Sequence, residues 1–194
     1  MTRTAGGPFH EIICKYRVLL VAVLWSLAPG ALAQVPADVT AEEVKAAFVF
    51  QIARYVEWPG NAFPRPDTPL TITVVGADAL ASELSRIVRG RMAHDRPIVV
   101  QRLKDASALT ATHLLFIGQD QRARLVELGR TARQRGILIV AEWESALTAG
   151  AMVNFVMVEG RVRFEVALDA VQRSGLKMSS RLLAVAQQVY SGAP

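Results

Sequence analysis

Arg161-Val162-Arg163-Phe164-Glu165-Val166-Ala167-Leu168-Asp169-Ala170-Val171-Gln172-Arg173-Ser174-Gly175-Leu176-Lys177-Met178-Ser179-Ser180-Arg181-Leu182-Leu183 is the stretch that decides the fold. Val162, Phe164, Val166 and Leu168 alternate with Arg161, Arg163, Glu165 and Ala167, which is the period of a strand. Asp169 is placed to cap the turn that follows, and Gly175 suits the left-handed position that ends it. Ser179 or Ser180 then opens a helix with Leu182, Val185, Ala186 and Val189 on one side. The stretch predicts a sheet strand with a helix folding back on it.

Upstream, Met152 to Val158 is a second strand, joined to Arg161–Ala167 through Glu159-Gly160 as a tight hairpin. Farther back, Leu70 to Val75, Ile98 to Val100, His113 to Gly118 and Ile137 to Val140 are short, nearly continuous apolar runs. Helices separate several of them: one capped by Asp78 with Leu80, Leu84 and Ile87 on a side, another over Gln121 to Arg135 with Leu125, Leu128 and Ala132 inward. Apolar strands alternating with helices predict a sheet covered on both faces. The expected fold is an α/β single-domain sandwich, a mixed β-sheet of about five or six strands flanked by helices on both faces.

Thr40-Ala41-Glu42-Glu43 is a capping box that starts the first helix of this domain. Val44, Phe48, Ile52 and Tyr55 recur at helical spacing, and the opposite side adds Ala46, Val49 and Phe50. A helix so broadly apolar is buried on most sides or meets a second molecule. It stops at Trp58-Pro59-Gly60, because proline disfavours the helical conformation of the residue before it. Ahead of it, Arg3, Lys15 and Arg17 precede the apolar run Val18 to Leu27, followed by Ala31-Leu32-Ala33. That order predicts a signal peptide over residues 1–33, cleaved after Ala33, and a domain over 34–194.

Composition then narrows the functions. The single cysteine is Cys14, inside the leader, so the exported domain has no disulfide and no thiol chemistry. Removing the leader takes Arg3, Lys15, Arg17 and Glu11 from a formal net charge of +5. The small excess that remains gives no reason to propose nucleic acid.

Catalytic constellations are missing. There is no Gly-x-Ser-x-Gly, and only His94 and His113 remain after the leader. His113 begins an apolar strand, so a packed, hydrogen-bonded core histidine is the expected role; His94 lies in a polar loop. No spacing of His, Asp and Glu builds a metal site, and no catalytic residue, metal or cofactor is predicted. Val74-Val75-Gly76-Ala77-Asp78 puts a glycine turn before a helix, but without further glycines or a lysine it is no phosphate loop.

Arg163 and Glu165 are more informative, sharing a strand face at about 7 Å spacing. Charges there need mutual pairing or a polar cavity. They form a structural ion pair at the sheet margin, or they line a ligand pocket with Lys177 and Ser179. Phe48 and the Tyr55–Trp58–Phe63 corner offer aromatic anchors for a partner; the corner equally reads as a helix end tucked into the core.

Lys45-Ala46-Ala47-Phe48-Val49-Phe50-Gln51-Ile52-Ala53-Arg54-Tyr55-Val56-Glu57-Trp58-Pro59 resembles the opening signature of the YfiR family. Arg163-Phe164-Glu165-Val166, Leu168-Asp169-Ala170 and Gly175 to Leu183 resemble its closing signature. Val74-Val75-Gly76, Gly90-Arg91, Arg96-Pro97-Ile98, Leu115-Phe116-Ile117 and Gly150 to Phe155 fall between them in matching order. The resemblance implies a periplasmic regulator without catalytic activity that binds the periplasmic domain of an inner-membrane diguanylate cyclase and holds it inactive. Release would raise cyclic di-GMP and favour biofilm. It also implies a homodimer and, in some members, a small aromatic or nucleotide-like ligand. The paired cysteines of redox-controlled relatives are absent, and Gly150-Ala151 replaces a pair of glycines. The alternative is an extracytoplasmic small-molecule-binding sensor; a hydrolase and a membrane-surface role rank below both.

Overall fold

The computed structural model describes residues 39–104 and 111–192. The predicted signal peptide, and Cys14 within it, lie outside the described residues. In chain order the elements are α1 (Ala41–Tyr55), β1 (Val56–Glu57), β2 (Leu70–Val75), α2 (Asp78–Val88), β3 (Met92–Ala93), β4 (Arg96–Leu103) and β5 (Leu114–Ile117). There follow α3 (Leu125–Arg135), β6 (Leu138–Ala141), α4 (Ala146–Ala149), β7 (Val153–Val158), β8 (Arg161–Ala167), α5 (Leu168–Arg173), β9 (Lys177–Met178), α6 (Ser180–Leu183) and β10 (Gln188–Tyr190).

Eight strands form one mixed sheet in the order β10-β8-β7-β6-β5-β2-β4-β3, and β1 and β9 make a separate two-stranded ribbon. The centre, from β7 through β6, β5 and β2 to β4, is parallel. The β7–β8 hairpin is antiparallel, with Phe155 opposite Phe164. Its turn is the predicted one, Glu159 and Gly160 both left-handed at φ 49° and 72°.

The α/β class and the two covered faces are as expected; the count of about five or six strands is corrected to eight. The two strands beyond the six read from the sequence are short. Met92–Ala93 is too brief to show a period. Gln188–Tyr190 lies where the sequence predicted a continuing helix. That helix ends at Leu183 because the chain returns to the sheet: the Gln187 N–H donates to the Phe164 carbonyl at 2.8 Å, and Val189 pairs in parallel with Val166. A tertiary pairing overrides the local helical pattern here. Asp169 and Asp78 likewise sit in the first turns of α5 and α2 without making a capping bond, whereas the Thr40–Glu43 box forms as read.

Strand alternation divides the core in two. On one side Ile72, Phe116, Val140, Phe155 and Phe164 meet α1 and α2. On the other, Leu115, Ile117, Ile139 and Ala141 meet Leu125 and Ala132 of α3 and Ala146 of α4. Phe116 and Phe164 are fully buried, and burying one such ring contributes about 1.5–3 kcal/mol. An exposed pair such as Arg65–Asp67 is worth ~0–1 kcal/mol, so apolar burial dominates. The glycine turn after β2 serves packing: a Cβ on Gly118 would fall 2.0 Å from the Gly76 carbonyl oxygen.

Candidate functional site

The first helix buries mostly the side opposite the one that the periodicity singled out, with Ile52 buried as well. Ala46, Val49, Phe50, Ile52 and Ala53 are the buried residues of α1, while Val44, Phe48 and Tyr55 lie on a half-buried flank. Phe48 packs edge-on against Phe164 with ring centres 5.3 Å apart, and against Phe155 at 6.1 Å. At the C-terminal end of α1 the chain's two signature regions join. Val56 pairs with Met178, Glu57 with Lys177, and the Ser179 N–H donates to the Tyr55 carbonyl at 2.9 Å.

Beyond this ribbon, Trp58 and Phe63 come together around His113. Phe63 stacks on the imidazole at 4.4 Å and 14°, and the Arg96 guanidinium lies over the Phe63 ring, 4.2 Å from its centre. Trp58 stands edge-on to the same imidazole and donates its indole N–H to the His113 carbonyl at 3.1 Å. Arg96 in turn donates to the carbonyls of Arg65, Pro66 and Thr68. The His113 ring is fixed in one tautomer. Nδ1 accepts from the Thr71 N–H at 3.0 Å, so Nε2 carries the proton and donates it to the Ala62 carbonyl at 3.1 Å. Burial pushes the imidazole pKa below its ordinary value; the Ala62 carbonyl pulls the other way and the Arg96 charge adds to the lowering. This is a neutral structural histidine holding β2, β5 and the Gly60–Ala62 turn together.

Of the four proposed anchors, then, Trp58 and Phe63 share one corner. Phe48 lies elsewhere, over the β7–β8 hairpin, and Tyr55 sits beneath Arg54, whose guanidinium is 5.8 Å from its ring centre.

The four ligand residues are also spread. Arg163 and Glu165 point to the same side of β8 but make no ion pair with each other. Arg163 lines a hollow of about 390 Å³ with Phe48, Val44, Met157 and Arg161. Glu165 lines another, of about 180 Å³, with Asn154, Thr148 and Tyr190, whose hydroxyl lies 3.5 Å from its Oε1. Lys177 is exposed on the ribbon, and Ser179 caps α6 by accepting from the Arg181 N–H at 3.3 Å.

Sequence reasoning missed a third hollow. Lys45 of α1 reaches Glu142, just past β6, at 2.7 Å, with Glu42 at 3.5 Å. Together with Trp143, Glu144 and Phe155 the pair lines a hollow of about 300 Å³. A lone lysine between Val44 and Ala46 was the available signal. Its partner lies 97 residues away, which no local pattern reveals.

Fold and site together define a layered α/β domain whose polar side chains mostly secure its own loops and whose hollows are half-open and lie along the sheet margins. The chain belongs to the YfiR/HmsC-like family: residues 42–187 match that family, DUF4154. Among solved structures it is similar to a conserved domain protein from Vibrio cholerae O1 biovar El Tor, 13% identical over 77% of this chain and 60% of that one, with a TM-score of 0.49. It is also similar to the ABC domain in complex with L-Trp from Streptococcus pneumonia, at 7% identity over 62% of this chain and 55% of that one, TM-score 0.46. This chain therefore spans less than two thirds of the length of either neighbour.

Proposed function

We propose that this chain is exported, loses residues 1–33, and acts from the periplasm as a regulator without catalytic activity. It binds the periplasmic sensor region of an inner-membrane diguanylate cyclase and holds that enzyme inactive, lowering cyclic di-GMP and biofilm formation. The observation that carries this reading is the family match over residues 42–187. No helix among the described residues is long and apolar enough to cross a membrane. One feature agrees with the lack of catalysis. His113, the buried histidine nearest the aromatic corner, has both ring nitrogens engaged by backbone.

Repression requires tighter binding to the inactive form of the cyclase than to the active form. Phe48 and the half-buried Trp58–Phe63 corner are the anchors proposed for that contact, and the chain acts as a homodimer. A small ligand that relieves repression would bind at Arg163, in the hollow beside Phe48; Glu165, Lys177 and Ser179 stand apart from it. Deleting the gene tests the whole reading: cyclic di-GMP in the parent cell should rise, and an unchanged level would refute repression.

A further inference from the structure

One sheet margin is unfinished. β3 pairs with β4 only at Met92–Pro97 and Ala93–Arg96, after which the hairpin splays. β2 takes the inner edge of β4 from Ile98 to Leu103. The outer edge of Ile98, Val99 and Val100 is thus left with no strand partner among the described residues. A groove of about 440 Å³ runs along it, walled on the far side by Val88 and Arg89 at the end of α2 and by Arg91 and Met92. Consecutive residues Pro97 to Val100, from both faces of the strand, line it, which places the groove against the strand edge itself.

Two properties make this margin unlike an ordinary guarded edge. Met92 is 56% and Val99 40% exposed, so the groove is apolar where an edge strand is usually charged. Its only charges are cationic. No aspartate or glutamate lines it; Arg89 and Arg91 make no ion pair among the described residues, and Arg91 lies over the Phe50 ring at 5.1 Å.

We propose that this edge takes an added strand from a partner protein, an extended segment in which apolar and acidic residues alternate. Main-chain groups of the segment complete the ladder on Ile98 to Val100, its apolar side chains cover Val99 and Met92, and its carboxylates meet Arg89 and Arg91. A second copy of this chain fits poorly, because antiparallel joining of two β4 edges would bring both pairs of arginines into one margin. The inference shares with the cyclase reading only that the occupant is a protein. The peptide measurement below can therefore fail while cyclic di-GMP still responds, and the reverse.

The test uses the mature chain and a synthetic peptide of about seven residues alternating valine and glutamate, a length typical of one strand. Amide signals of Val99 and Val100 should shift on titration, and their hydrogen exchange should slow. N-methylation of alternate peptide amides should abolish binding. The double variant Arg89→Glu with Arg91→Glu, with an unchanged melting temperature, should weaken it about tenfold or more. The proposal is overturned if the N-methylated peptide binds equally well to the unaltered chain, or if the shifts fall on the β7–β8 hairpin instead. Absence of binding at millimolar peptide overturns it too, as does concentration-dependent protection of Val99 without peptide, which would assign the edge to a second copy.

Discussion

The corner around His113 and the outer edge of β4 are joined through Arg96, which packs on Phe63 and lies two residues before Ile98, and both carry apolar side chains in reach of solvent. They differ in what happens to their polar groups. In the corner every donor and acceptor of the imidazole has a backbone partner, and Arg96 closes three carbonyls. Along β4 the outer edge of Ile98 to Val100 lacks a strand partner among the described residues, and Arg89 and Arg91 make no ion pair among them. Half-exposed aromatic rings with satisfied polar neighbours serve the fold whether or not they also meet a partner; unfinished hydrogen bonding beside apolar surface is a separate sign of a binding surface.

The contrast can be broken most sharply at His113. His113→Ala removes a stacked, buried ring and leaves the Thr71 N–H and the Ala62 carbonyl without partners. Urea unfolding should show a loss of about 3 kcal/mol or more; a loss within ~0.5 kcal/mol would mean the corner does not hold the fold. Acid should expose the same dependence more gently. The folded pKa of His113 is lowered, so the unfolded chain binds the proton first. Its contribution to stability is intact above about pH 6.5 and declines as pH falls from there toward the folded pKa, by at most ~1.4 kcal/mol per pH unit. A His113→Gln variant should lose that part of the slope, and an unchanged slope would assign the acid sensitivity elsewhere.

Trp58→Phe is the finer probe. It keeps a ring but deletes the indole donor, and the His113 carbonyl retains the Leu138 N–H. The expected loss is about 1 kcal/mol, read as a lower urea midpoint at constant slope. Val99→Thr at the other region should change stability by no more than ~0.5 kcal/mol, because that side chain is already 40% exposed and the swap is close to isosteric. A large loss there would show the edge to be part of the core.

How far the sequence foretold these regions follows from the range of the interactions. The β7–β8 hairpin was legible because strand alternation and Glu159-Gly160 are local, and the first helix because Thr40 and Glu43 are one turn apart. His113 was legible as a core residue from its apolar neighbours. Its partners Ala62 and Thr71 were not, since they come from other segments. The last strand was misread as helix because Leu182, Val185, Ala186 and Val189 have helical spacing, while the pairing of Val189 with Val166 is set by the sheet. Arg163 and Glu165 were correctly placed on one side of β8, yet strand rise alone could not show that they open into different hollows. Lys45 and Glu142 illustrate the same limit: the residues were in view and the contact was not.

The central claim is that this domain acts by holding another protein in its inactive form. The direct measurement adds purified mature chain to membranes carrying the cognate diguanylate cyclase and follows conversion of GTP to cyclic di-GMP. The account predicts that synthesis falls with added protein and saturates as the sensor region is filled. Synthesis that stays level while the protein is shown to be folded would contradict it.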